Sequence, residues 1–296
     1  MNIAIIGVGL IGGSIGMAIK SKAESYKSKV KIIAIGRNIK HLKLAKKLGA
    51  VDEITTDIKK GVKNADIIFI CIPVGLIADT VKNILPYCKR GVIITDVGSV
   101  KEEIVNEVEK FLSTPYSVRA IHELPLLPTP CFFVGGHPIA GSEKISVKHA
   151  SQDLYKDAIV ILTPTRKTDK KALKTVKHLW HIMGAKVEIM SAKKHDQVVS
   201  YTSHLPHIVA FALVKIINHL KFAGNSFQDM TRIVSSNPAM WSDIFFENRK
   251  NILKAVKEFC KELSKIEKTN SKEKLSKIFE EAKIKRDKLC NQLKAK

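Results

Sequence analysis

Arginine is scarce in this chain. Only seven of the 50 basic residues among its 296 are Arg, set against 28 acids, for a net charge of +22. Base-edge readout of nucleic acid leans on arginine, and a polyanion footprint takes the form of a patch or stripe. Here the excess is spread: +7 over residues 1–142, +6 over 143–247 and +9 over 248–296. Most lysines therefore read as solvated surface, and no nucleic-acid partner is expected. The field still favours small anionic ligands. Cysteine is sparse too. Cys71, Cys88, Cys131, Cys260 and Cys290 show no C-x-x-C spacing and are odd in number, so neither a disulfide framework nor a metal site is indicated. No apolar run reaches the roughly 20 residues of a membrane span. With no leader before the strand-like Asn2–Ile6, the expected compartment is the cytoplasm. Apolar residues are plentiful at 45%, enough for a packed core at a length that allows two domains.

Two periods alternate in the first half. Short β-branched runs at Ile3–Ile6, Ile32–Ile35, Ile67–Ile72 and Val92–Thr95 are typical of parallel strands buried on both faces. Amphipathic stretches at Ile39–Leu48, Leu76–Leu85 and Lys101–Leu112 lie between them. The alternation predicts βαβ units and a doubly wound sheet. A later unit, Ala158–Leu162, Lys170–Met183 and Lys186–Ile189, is expected to extend that sheet. Thr114–Phe133, with four prolines, reads as a loop. Beyond about residue 192 the strand signal stops. A long apolar helix over His195–Asn218, interrupted at Pro206, is expected there, with others over 226–236, 238–265 and 270–294. The predicted class is α/β, an N-terminal Rossmann-type domain over 1–190 followed by an all-α domain over 191–296. The second half is too apolar for one layer of helices, which predicts burial in a homodimer.

Gly7-Val8-Gly9-Leu10-Ile11-Gly12 is a G-x-G-x-x-G that follows a strand and opens a helix, the context a dinucleotide site requires. Gly7 permits the turn, Gly9 lets backbone approach the pyrophosphate, and Gly12 lets helix and strand pack closely; the helix start at Leu10 and Ile11 offers free N–H groups. The second strand ends Ile35-Gly36-Arg37-Asn38, without the acid that would bind the ribose hydroxyl of NAD. A guanidinium at Arg37 would pair with a 2′-phosphate, so the cofactor is expected to be NAD(P), leaning to NADP. The alternative is that Arg37 stacks on the adenine. Three further segments lack a core explanation: Asp96-Val97-Gly98-Ser99-Val100-Lys101; Gly135–Glu143, in which His137 sits among glycines beside Pro138; and His195 through His207. On a helix Gln197, Tyr201, His204 and Ile208 share one side.

Taken together, G-x-G-L-I-G-G-S, D-V-G-S-V-K, G-G-H-P-I-A-G-S-E, H-D-Q-V-V-S-Y-T-S-H-L-P-H and N-P-x-M-W-x-D-I-F resemble the prephenate/arogenate dehydrogenases of tyrosine biosynthesis, over residues 1 to about 250. The resemblance implies oxidative decarboxylation of a cyclohexadienol, prephenate to 4-hydroxyphenylpyruvate or its arogenate counterpart, with hydride passing to a nicotinamide. It implies His137 as the base, Ser99 at the substrate hydroxyl and His204 near substrate and nicotinamide. Arg232 would hold a substrate carboxylate, Ser142 and Glu143 would bind substrate, and Trp241 would reach toward the partner subunit's site or sit in the dimer core. Residue readings stand beside these. Ser99 could cap the next helix, with Glu102 three residues on; Arg232 could pair with Asp229; His207 could be a site neighbour or an ordinary helix residue. No fused mutase or regulatory domain is expected. Competing readings are another dehydrogenase of this architecture, which would use a lysine in the helical half, and a redox-sensing nucleic-acid-binding Rossmann module that uses the lysine-rich tail.

Overall fold

The computed structural model describes all residues except 26–28, 114–130, 142–143, 145 and 295–296, with the side chains of 220 and 290–294 also left aside. Six parallel strands form the main sheet: β1 (Asn2–Ile6), β2 (Lys31–Ile35), β3 (Glu53–Thr55), β4 (Ile67–Ile70), β5 (Ile93–Asp96) and β6 (Phe132–Val134), in the order β3-β2-β1-β4-β5-β6. In register, Ile3 lies between Ile32 and Ile67, and Ile93 between Ile67 and Phe132. Strand alternation sends Ile3, Ile5, Ile67 and Phe69 into one core and Ala4, Ile6, Ile68 and Ile70 into another. The first core packs against the helices Leu10–Ser25 and Ile39–Lys47, the second against Ile77–Ile84 and Glu102–Ser113. The two faces explain why these strands read as unbroken apolar runs. Strand order reverses between β1 and β4, and their carboxyl ends open the crevice where ligands of such sheets bind.

Two expectations are corrected. Phe132 and Phe133, expected at the end of the loop, belong to the sixth strand, paired with β5. The unit expected to lengthen the sheet forms a sheet of its own: β7 (Gly136–Ile139) runs antiparallel to β8 (Ile159–Leu162), which pairs in parallel with β9 (Lys186–Ile189). The chain breaks away at Gly135, whose carbonyl accepts from Thr163 N at 2.9 Å and where a Cβ would lie 2.5 Å from Thr163 Oγ1. The break aims β7 across the end of β5.

The helical half also differs from its expected bounds. Ala192–Val199 and Leu205–Ile216 are separated by a π-helical turn over Ser200–His204, which leaves Pro206 in the first turn of the second helix, where no N–H is missed. The helix expected over 238–265 breaks at Asn248 into Pro238–Glu247 and Arg249–Glu267. The half also holds 3-10 turns at Leu220–Phe222 and Arg232–Ser235 and helices Asn225–Thr231 and Lys272–Lys294. By packing, the chain divides into Met1–Arg249 and Lys250–Lys296. The first unit leaves Ile216, Phe222, Met230 and Phe246 exposed, and the second Leu253, Leu263, Phe279 and Leu289. Among the described residues no helix is long and apolar enough to cross a membrane.

Candidate active site

The glycine loop is built to a tolerance no side chain meets. Gly7 takes φ +91° and donates to Ile35 O at 2.9 Å; a Cβ there would sit 2.3 Å from Cys71 O. At Gly12 a Cβ would lie 2.1 Å from Gly7 O. The helix that starts at Leu10 carries no acid in its first turn, and Tyr155 pins it by donating to Ile11 O at 2.7 Å. Gly9, Leu10, Ile11 and Gly12 line a cavity of about 440 Å³. These features fit a dinucleotide pyrophosphate: a glycine turn and a helix N-terminus line open space, with no carboxylate among the described lining residues to repel it. Arg37 lies beyond β2 with its side chain exposed and does not line this cavity. Asn38 beside it caps the next helix, accepting from Lys40 N at 3.0 Å and His41 N at 3.2 Å.

The same cavity reaches the end of β5. Asp96 and Lys101 are fully buried and paired through Asp96 Oδ2 and Lys101 Nζ. Asp96 also accepts from Gly98 N at 2.8 Å and from Gly136 N at 3.1 Å. One carboxylate thereby ties the loop carrying Ser99 to the strand carrying His137, and both residues line the cavity. Ser99 is not the cap of the helix Glu102–Ser113. Asp196 takes that place from a distant segment, accepting from Lys101 N at 2.8 Å and Glu102 N at 2.9 Å. A carboxylate favours a helix N-terminus, and this one leaves Ser99 on the cavity wall.

Behind His137 stands a line of buried polar groups. His137 Nδ1 is 2.8 Å from His195 Nε2, and His195 Nδ1 is 2.7 Å from Asp196 Oδ1. His195 and Asp196 are 0% and 1% exposed. Burial pushes the His137 imidazole well below its ordinary pKa, and His195, Lys101 and His204 push the same way. Its ring is therefore neutral near pH 7 and able to accept a proton. His204 does not reach the cavity. It is 1% exposed, its Nδ1 lies 3.2 Å from Asn248 Nδ2, and its buried Nε2 has no hydrogen-bond partner among the described residues. Burial pushes it down to about 4, His195 and His207 adding to that and Asp196 opposing it. Trp241 is buried in its own chain, stacked on His207 at 3.7 Å and edge-on to His204 at 5.9 Å.

Of the residues singled out in the sequence, His137, Ser99 and the loop from Gly9 to Gly12 meet at one cavity, with Gly7 shaping the turn beneath. Arg232 is exposed in its 3-10 turn and outside the cavity wall, near enough to His207 for its charge to lower that ring's pKa, burial being the larger cause. Ser142 and Glu143 lie outside the described residues, as does most of the proline-rich stretch. Sequence reasoning marked the segments that hold Asp96, Lys101 and Asp196 but gave these residues no role, and it missed Asn248 together with Lys144, Ser236 and Asn237 on the cavity wall. The signal for Asp196 was present: an adjacent His and Asp opening an otherwise apolar helix need buried partners.

A family model described as prephenate dehydrogenase, nucleotide-binding domain, matches residues 17–189. A second, described as prephenate dehydrogenase, dimerization domain, matches 191–283. The chain is 37% identical over 301 residues to a prephenate dehydrogenase of Bacillus subtilis, spanning 97% of this chain and 75% of that protein. To a cyclohexadienyl dehydrogenase of Zymomonas mobilis it is 31% identical, spanning 90% and 87%. Among solved structures, a prephenate dehydrogenase from A. aeolicus in complex with hydroxyphenyl propionate and NAD+ superposes with a TM-score of 0.85 at 37% identity over 98% of each chain. An arogenate dehydrogenase from Synechocystis gives 0.78 at 26% identity, over 98% and 100%.

Proposed function

The chain belongs to the prephenate dehydrogenase family, a family of NAD-dependent oxidoreductases, and we propose that it acts on prephenate, with His137 as the base. The observation that carries this is the meeting, in one cavity, of a glycine loop suited to a dinucleotide and an imidazole held neutral by burial. When bound, the nicotinamide cofactor supplies the hydride acceptor. The chain's residues must take the hydroxyl proton, hold the substrate and exclude water. His137 has Nδ1 engaged by His195, and Nε2, with no hydrogen bond among the described residues, receives that proton. Ser99, on the wall of the same cavity, orients the hydroxyl. Ile72, Val74, Val97, Met240 and Ile244 give the cavity apolar walls, so charge developing inside it is poorly screened by water. Lys144 on the wall, and Arg232 as the resemblance implies, are the cations proposed for the substrate carboxylates. His204 serves as a buried support rather than a substrate contact.

The remaining assignments belong to the same proposal. NADP is preferred over NAD, on the strength of Gly36-Arg37 where an acid would repel a 2′-phosphate. The functional division falls at 190/191, with nucleotide chemistry before it and dimerisation after it. The exposed Ile216, Phe222, Met230 and Phe246 support a homodimer; light scattering at micromolar concentration should give twice 32.9 kDa, and a stable monomer would remove the dimer. The deciding assay crosses prephenate and arogenate with NAD and NADP in steady state. Higher kcat/KM for prephenate is expected, and a clear preference for arogenate would overturn the substrate assignment.

A further inference from the structure

We propose that His195 and Asp196 are positioning residues that decide which nitrogen of His137 carries its proton, leaving Nε2 as a bare lone pair toward the substrate hydroxyl. This rests on the reading of His137 as the base. The inference follows from hydrogen-bond capacity. Asp196 accepts from Lys101 N on one oxygen and Glu102 N on the other, so it is an acceptor toward its third neighbour as well. His195 Nδ1, 2.7 Å from Asp196 Oδ1, must then carry a proton. A neutral imidazole protonated at Nδ1 offers a lone pair at Nε2. His137 Nδ1, 2.8 Å from that lone pair, must in turn be the donor. The neutral His137 ring therefore has no proton on Nε2. In the opposite tautomer Nε2–H would donate, and no base would face the substrate.

The arrangement also receives the charge that proton transfer creates. An imidazolium at His137 would lie one hydrogen bond from His195 and two from the Asp196 carboxylate. The other ionisable groups near these three are Lys101, itself paired with Asp96, His204, and Glu247 toward Asp196. Asn248 fixes the backbone of the pair by donating to Asp196 O at 2.8 Å. Helix capping alone would explain Asp196 but not a fully buried histidine between the cap and the base.

His195→Leu separates the two roles, because it removes the acceptor of His137 Nδ1 and leaves Asp196 to cap the helix through Lys101 N and Glu102 N. The His137 proton is then no longer drawn to Nδ1 and can sit on Nε2. The expected result is a fall in kcat of about 10²–10⁴-fold with KM and nucleotide affinity little changed, as expected when a base is held in the wrong tautomer. His195→Gln, which can still accept from His137 Nδ1, should recover most of that loss. Nitrogen NMR of the ring-labelled wild-type protein reads the tautomer directly and depends on no variant folding; it should find His137 protonated at Nδ1. A wild-type His137 protonated at Nε2, or a folded His195→Leu protein with unchanged kcat and acid limb, would overturn the proposal. Full turnover in His137→Asn would instead overturn the base reading on which it rests.

Discussion

Replacing His137 by Asn separates catalysis from architecture, because of where the imidazole's bonds go. Asparagine places its amide close to the position of the imidazole Nδ1, so it can still donate to His195 Nε2, now at 2.8 Å. That buried acceptor stays satisfied, and the penalty of about 1–3 kcal/mol for an orphaned one is avoided. His137→Leu would incur it. Asparagine cannot take up a proton, so the base is lost entirely, at about 10²–10⁴-fold in rate, or about 3–5 kcal/mol of barrier. His137→Asn should thus bind nucleotide and melt near the wild-type temperature while nicotinamide reduction, followed by absorbance, falls by those factors. The wild-type pH profile adds a second reading. Burial lowers the His137 pKa, so the acid limb of kcat should lie below the ordinary histidine value of about 6.5, rather than at it, and should vanish from the variant's residual activity. Full kcat, a wild-type acid limb in the variant, or a melting temperature that collapses together with nucleotide binding would refute the catalytic role.

The other expectations concern charge. His204 is held at about 4 against about 6.5 unfolded, so the unfolded chain binds the extra proton first; stability is complete above about pH 6.5 and falls by about 3 kcal/mol as pH drops toward 4. Urea melts at pH 7.5 and 4.5 should show the loss, and His204→Gln should weaken that dependence. Gly36→Asp combined with Arg37→Ala should move preference toward NAD by roughly 1–3 kcal/mol, measured as a ratio of kcat/KM values; a wild type that already favours NAD tenfold would refute the role of Arg37. Arg232→Ala should raise KM with the melting temperature unchanged. If Lys144→Ala raises it and Arg232→Ala does not, the carboxylate belongs to the residue on the cavity wall.

Much of this protein was legible in one dimension. Parallel strands buried on both faces must be nearly all apolar, so β1, β2, β4 and β5 stood out as runs of Ile, Ala and Phe, and the glycine loop announced itself by falling between the first of them and a helix. β3 and β6 did not, each having three residues and too short a pattern to show a period. His137 and Ser99 could be picked out because a polar residue among glycines at a strand end has no core to join. The family resemblance supplied their roles.

What the tertiary structure decided were the relations that need two distant segments at once. Nothing local says that Asp196 caps a helix 94 residues away in sequence, that Asp96 ties the Ser99 loop to β7, or that His204 turns inward while His137 faces the cavity. Local sequence determines which residues are apolar and which carry chemistry, because periodicity and turn propensity act over a few residues. Burial, the hydrogen-bond partner of a given nitrogen, and the pKa that follows depend on what the fold brings within 3 Å, and that is settled only when the chain closes on itself.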